Sequence, residues 1–298
     1  MFVIFGASGN VGHATATALR HAGHPVRAVV RDARHRERLA RIGCDVVFAD
    51  LTDERSVAAA LDGAHGVQML CPVPAADADA DADPAATMRR MIDVAAAALA
   101  ANPPPVLLAV SDYGAELDID TGITSLFHEL EERMKPIATR LTLLRSAEHL
   151  QNWARVMPVA LATGVLPSLH HPVDKQFPAV SAPDVGAVAA ELLLDDPRAG
   201  GPRVVSVEGP RRVSARDVAD ALGQAAGRTI VARELPRDAW AATLLRAGLS
   251  ERHARLITDL YDVHNAGLID VEHGATERRF GGTGPGDALA ALAASAAR

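Results

Sequence analysis

Three glycines spaced three apart, Gly6, Gly9 and Gly12, interrupt the first apolar run of the chain and lead straight into the Ala-rich stretch HATATAL. Glycine is required where a chain turns tightly, where its backbone must approach an anion closely, and where a helix packs hard against a strand. A helix that starts at such a turn points free N–H groups outward. The segment FVIFGASGNVGHATATAL therefore reads as strand, turn and helix around a pyrophosphate. Its contacting positions are Gly6, Ser8, Gly9, Asn10, Val11 and Gly12, and its ligand is a dinucleotide.

The rest of the first half repeats that alternation. Strand-like runs at 2–5, 26–30, 45–48, 66–70, 106–110 and 141–144 are separated by helical patterns near 11–22, 33–41, 54–61, 85–101 and 124–138. Short β runs joined by helices long enough to cross over imply right-handed βαβ units and a parallel sheet covered on both faces. The expected fold is α/β, a doubly wound parallel Rossmann sheet with a smaller C-terminal α+β substrate lobe. Residues 1–150 form the cofactor domain, joined by a return segment at about 178–196, and residues 151–177 and 197–298 form the lobe. The lobe is expected to hold a strand from Val204, a helix over 214–226 and a strand near Ile230. The acidic, low-complexity stretch AADADADADP at 75–84 reads as a solvated loop or a lid.

Composition narrows the function classes. A net charge of −7 supplies no electrostatic footprint for a phosphate backbone, so nucleic acid is not an expected partner. No apolar run reaches the roughly 18 residues that a bilayer span needs, and the first strand follows Met1 with no basic leader. A cytoplasmic protein without a membrane partner is expected. Two cysteines, Cys44 and Cys71, provide neither a disulfide framework nor a cysteine zinc site. His170 and His171 are adjacent, with no third ligand at metal spacing, so no metal is expected.

Arg31 ends the second strand 19 positions beyond Gly12 (31 − 12). An acidic residue in this neighbourhood holds the ribose hydroxyls of NAD, whereas Arg accommodates a 2′-phosphate, so Arg31 predicts NADP(H). Asp32 follows it on the opposite face, and Arg34 and Arg36 add charge or form a solvated helix face. Asp50 and Leu51 end the third strand, where they contact the adenine unless Asp50 caps the next helix. Leu70, Cys71 and Pro72 end the fourth strand beside the ribose and nicotinamide. Cys71 has no nearby base to activate it.

The motifs GASGNVG, VVRD, GCDVVFADLTD, LLAVSDYGA, HELEERM, TLLRSAEHLQNW and SAPDVGAVAAELLLDDP run through nearly the whole chain. In them the sequence resembles the NmrA-like family of atypical short-chain dehydrogenases, and within it the NADPH-dependent quinone oxidoreductases. The resemblance implies an NADP-binding sheet domain, a small substrate lobe, and hydride transfer to a small-molecule electron acceptor. It also implies a carbonyl-facing residue at Ser111 and a cleft segment at His149, Asn152 and Trp153, unless these serve as a turn residue and as interdomain packing. Tyr113 faces the nicotinamide or packs in its loop.

One departure bears on the chemistry. Typical short-chain dehydrogenases protonate the substrate with a Tyr four positions before a Lys. Counted back from Glu132, the matching positions here are Thr124 and His128. A Thr hydroxyl is far too weak an acid to replace a tuned phenol, which disfavours ordinary alcohol and ketone chemistry. Quinone reduction survives the loss, because the anion left by hydride transfer is delocalised. His128 serves as a proton or hydrogen-bond donor, or as a surface or capping residue. The alternative is an NADP(H)-binding redox sensor or regulator without turnover, reporting through a protein partner. A homodimer is also open.

Overall fold

The structure, a computed structural model, describes residues 1–74, 83–137, 140–195, 201–274 and 277–296. Of the stretch expected to form an acidic loop or lid, residues 75–82 lie outside the described ones. In chain order the first elements are β1 (Phe2–Ile4), α1 (Asn10–His21), β2 (Val26–Val30), α2 (Arg36–Arg41), β3 (Asp45–Phe48), α3 (Glu54–Leu61) and β4 (Gly66–Met69). There follow α4 (Pro84–Ala101), β5 (Val106–Asp112), α5 (Ile123–Met134), β6 (Arg140–Ser146), β7 (Glu148–His149), α6 (Met157–Thr163), β8 (Val165–Ser168), β9 (Ala179–Val180) and α7 (Ala182–Leu194). The chain ends with β10 (Arg203–Glu208), α8 (Ala215–Ala226), β11 (Val231–Glu234), α9 (Trp240–Arg246), α10 (Glu251–Asn265), β12 (Arg278–Phe280) and α11 (Pro285–Ala296).

Eight strands form one parallel sheet in the order β12-β10-β6-β5-β4-β1-β2-β3. The chain steps outward from β1 in one direction through β2 and β3, then in the other through β4, β5 and β6. The switch point lies between β1 and β4, where ligands of open α/β sheets bind. Alternation along the strands sends Phe2, Ile4, Leu108 and Val110 into a core under α1 and α7. Val3, Phe5, Leu107 and Ala109 enter a second core under α3, α4 and α5. Each large apolar side chain so buried contributes about 1.5–3 kcal/mol. Helix α7 lies directly on α1, and Gly186 permits it: a Cβ there would sit 2.3 Å from the Val11 carbonyl oxygen.

Two expectations differ from the structure. The strand from Val204 was expected in the lobe, yet β10 pairs in parallel with β6, and β12 pairs with β10 at the sheet edge. A strand's neighbour depends on where the chain returns, and no local pattern carries that. The helix expected over 124–138 stops at Met134, because Pro136 has no N–H to continue it. The lobe holds a two-stranded parallel sheet of β8 and β11 and a core of Trp153, Leu166, Phe177, Leu222 and Leu289. Among the described residues no helix is long and apolar enough to cross a membrane.

Candidate functional site: a nucleotide cradle and a histidine-rich edge

The turn after β1 closes on itself through the Gly9 N–H, which donates to the Gly6 carbonyl at 3.0 Å. Gly6 has φ +75° and faces the Leu70 side chain, so both its conformation and its contact with the end of β4 demand glycine. At Gly12 a Cβ would stand 2.3 Å from the Gly6 oxygen. Gly9 is different: it is exposed, and a Cβ there would meet only that oxygen, at an ordinary 3.5 Å. The fold thus has room for a Cβ at Gly9, unlike at Gly12. Helix α1 has Gly9 at its N-cap, with no side-chain cap and no acidic residue in its first turn, which leaves its end free for an anion. Ser8 is half-buried, Asn10 exposed, and Val11 buried. Thr15 ties α1 to β4 through Gln68 at 2.8 Å.

Positive charge gathers beside this turn. Arg38 donates to the Ser8 carbonyl at 2.7 Å, and Arg31 stands exposed directly after β2 with no carboxylate at ion-pair distance among the described residues. Asp32 is turned away, its carboxylate accepting from Arg34 N at 2.8 Å and pairing with Arg34 Nε at 2.9 Å. Asp50 accepts from the Thr52 N–H at 2.8 Å and the Thr52 hydroxyl at 2.7 Å. Burial would raise its pKa, but those bonds and the charges of Arg31 and Arg90 hold it below the usual range. It shapes the loop, while Asp53 caps α3. Leu51 and Leu70 are half-buried and Pro72 exposed. Cys71 is fully buried, and burial pushes its thiol up to about 12, so it is inert.

The end of β5 is more constrained than the sequence implies. Ser111 is 1% exposed, and its hydroxyl donates to Glu131 Oε1 at 2.6 Å. Glu131 in turn holds Arg145 through Nε at 2.8 Å and Nη2 at 2.7 Å. Arg145 continues to Glu272 at 2.6 Å and Glu116 at 3.2 Å. Ser111 thus anchors a buried charge network instead of offering a free hydroxyl. Tyr113 is 2% exposed among apolar core residues, its hydroxyl buried without a partner among the described residues. Burial raises its pKa well above the usual phenol range.

Thr124 is fully buried and donates to Asp112 Oδ2 at 3.2 Å. Burial, opposed by this bond and reinforced by the Glu148 charge, raises Asp112 to about 7. His128 is half-buried, with Nδ1 2.8 Å from the Ala115 carbonyl. A carbonyl only accepts, so Nδ1 carries the proton there.

Downstream, the Ser146 hydroxyl donates to the Ser111 carbonyl at 3.2 Å and lies 3.2 Å from His149 Nε2. With its one proton used, Ser146 accepts from His149. His149 is half-buried, and burial pushes its imidazole down to about 4 against the pull of the Glu148 carboxylate. Leu150–Arg155 is a 3-10 helix, so His149 and Trp153 do not share the α-helical face their spacing implies. Asn152 is exposed, whereas Trp153 is buried and stacks on His170 with ring centres 5.6 Å apart.

Sequence reasoning missed Asp112, Glu148 and His264. His170 Nε2 lies 3.0 Å and His264 Nε2 3.7 Å from the same Glu148 oxygen. Burial would raise the Glu148 carboxyl, but the imidazoles of His170, His264 and His149 outweigh it and hold it below its ordinary value. The sequence holds no spacing signal for this cluster, since its members stand on β7, after β8 and at the end of α10.

The chain is 24% identical over 283 residues to an NAD(P)H azoreductase of Xenophilus azovorans, covering 93% of each chain. It is 26% identical over 264 residues to quinone oxidoreductase 2 of Escherichia coli, covering 87% of this chain and 86% of that one. In structure it is similar to an NADPH-dependent quinone oxidoreductase of E. coli complexed with NADPH (TM-score 0.74, 22% identity, 98% and 99% coverage). It is also similar to a triphenylmethane reductase of Citrobacter sp. complexed with NADP(H) (TM-score 0.77, 15% identity, 98% and 99% coverage). The NmrA-like family model matches residues 1–279, and the chain therefore belongs to the NmrA-like family.

Proposed function

We propose that this chain is an NADPH-dependent oxidoreductase that passes hydride to a quinone or a similar conjugated acceptor. The observation that carries this reading is the pairing of an uncapped α1 and an open Gly9 with Arg31 and Arg38 at the same sheet edge. The first turn of α1 holds the pyrophosphate and Arg31 the 2′-phosphate, while Leu51 and Asp50 border the adenine. Leu70 and Pro72 flank the ribose on the β4 side. Bound NADPH supplies the hydride.

The acceptor side supports a conjugated substrate. No phenol stands at the family's Tyr position, and the Thr124 hydroxyl there is committed to Asp112. An acceptor whose anion is delocalised needs little acid assistance, so binding and orientation supply most of the catalysis. His128 is the one proposed catalytic side chain with a ring nitrogen left over, since Nδ1 is engaged with Ala115. Ser111 and Tyr113 act as positioning residues, through the Glu131 network and through packing respectively. His149, Asn152 and Trp153 border the acceptor from β7 and the turn after it. The relatives named an azoreductase and a quinone oxidoreductase reduce acceptors of this class.

The test is NADPH oxidation, followed by absorbance, against a panel of quinones and azo dyes. Turnover with at least one of them is expected. Tight NADPH binding with no turnover on the whole panel would overturn the enzyme reading and favour a sensor.

A further inference from the structure

We propose that Glu148, His170 and His264 form a binding site for one divalent transition-metal ion of the zinc class, with two imidazoles and one carboxylate as its protein ligands. One ligand atom from each residue lies within 4.8 Å of the other two. Both His Nε2 atoms approach the same carboxylate oxygen, at 3.0 Å and 3.7 Å. Atoms bound to a common zinc ion at about 2.0–2.2 Å stand roughly 3–3.6 Å apart. The two imidazole–carboxylate separations already have nearly that spacing, and the two imidazole nitrogens lie within 4.8 Å of each other.

A second observation points to a ligand between them. His170 Nε2 and Glu148 Oε1 are buried and have no hydrogen-bond partner among the described residues. His170 comes within 3.0 Å of Glu148 Oε2, yet its N–H does not point along that contact. His170 is 2% exposed and His264 6% exposed. Orphaned polar atoms in such a place cost about 1–3 kcal/mol each; a cation held by His170 Nε2 would satisfy that nitrogen, and the Glu148 carboxylate binding it through both oxygens would satisfy Oε1.

The ligands are also held in place by their surroundings. The His170 ring is clamped between Phe177, stacked at 3.8 Å, and Trp153 at 5.6 Å, with Tyr261 edge-on at 4.9 Å. Its backbone N–H donates to Ser168 Oγ at 3.0 Å. Asn265 ties this loop to the end of α10, donating to the Leu169 carbonyl at 2.8 Å and accepting from the His171 N–H at 2.9 Å. Lys175 is spent on the Asn265 carbonyl at 2.7 Å. Two imidazoles and a single carboxylate suit Zn²⁺, Co²⁺, Ni²⁺ or Fe²⁺ and not the oxygen-seeking Mg²⁺ or Ca²⁺. Three protein ligands leave a position open, and Glu148 adjoins His149 at the proposed acceptor edge.

The experiment uses the full chain, stripped with a chelator and titrated with Co²⁺. One equivalent is expected to bind and to give a visible d–d band, which Zn²⁺ then displaces. On Zn²⁺ addition to the unaltered protein, nitrogen-15 spectra of the side chains are expected to give metal-bound shifts at two of its 12 histidines. Glu148→Gln and His264→Asn should each weaken binding about a hundredfold or more. The histidine spectra need no variant, so a variant that fails to fold leaves the test intact. No stoichiometric Co²⁺ band, shifts at other histidines, or unchanged affinity in folded Glu148→Gln would overturn the site. Absence of NADPH turnover would not affect these results.

Discussion

The cradle between β1 and α1 takes its defining contacts from residues 6–12 and makes them with backbone, whereas the histidine-rich region assembles side chains from β5, β7, the loop after β8, and α10. In the cradle the determinants are conformational: Gly6 at φ +75° and Gly12 without room for a Cβ. At the histidine-rich edge the determinants are electrostatic, with Asp112 and Glu148 half-buried and the Glu131–Arg145 pair removed from solvent. A site made of backbone is robust to its surroundings but intolerant of added atoms. A site made of buried charge tolerates shape changes poorly and loss of a partner worse.

The largest effect should come from breaking the charge network. Arg145→Met leaves Glu131, 1% exposed, without its bidentate partner, and such a loss costs about 3–5 kcal/mol. The midpoint of urea unfolding measures it, and a change under about 1 kcal/mol would mean that the network is solvated. Next comes the cradle. The Cβ that Gly9→Val adds comes no closer than 3.5 Å to the protein, so NADPH affinity should fall about a hundredfold or more while the melting temperature holds. Gly12→Val, with its 2.3 Å clash, should lose stability as well. Equal behaviour of the two variants in calorimetry would erase the distinction between fold-forming and ligand-facing glycines.

Arg31→Ser should cut the preference for NADPH over NADH roughly ten- to a hundredfold, the worth of a charge-assisted hydrogen bond of about 1.5–3 kcal/mol. Fluorescence titration with both cofactors reads it, and a wild type that binds them equally would remove the assignment.

A smaller effect separates the two regions by pH. Asp112 holds its proton more tightly folded, at about 7, than at the ordinary 3.8. The stability it contributes is therefore complete below about 4 and is lost as pH rises through 7. Asp112→Asn should flatten this part of the profile and be more stable than wild type at pH 8, by about 1–3 kcal/mol. An unchanged difference between the two proteins from pH 4 to 8 would argue that Asp112 is solvated. The smallest effect expected is His128→Ala, a few-fold loss of quinone reduction with the same pH profile. A loss of about a hundredfold or more would instead make His128 the proton donor.

Sequence alone determined the α/β alternation and the cradle, because both are local. Apolar runs alternate with helical stretches, and Gly6, Gly9 and Gly12 fall where strand must become helix. The place of Arg31 directly after the neighbouring strand was legible for the same reason. The tertiary structure decided what distance in sequence conceals. It put β10 beside β6 and turned Ser111 into the core toward Glu131. It also gathered Glu148, His170 and His264 around one point. A backbone turn is specified by the residues within it, but the charge state and contacts of a buried side chain depend on every element packed around it, and that packing exists only once the chain has folded.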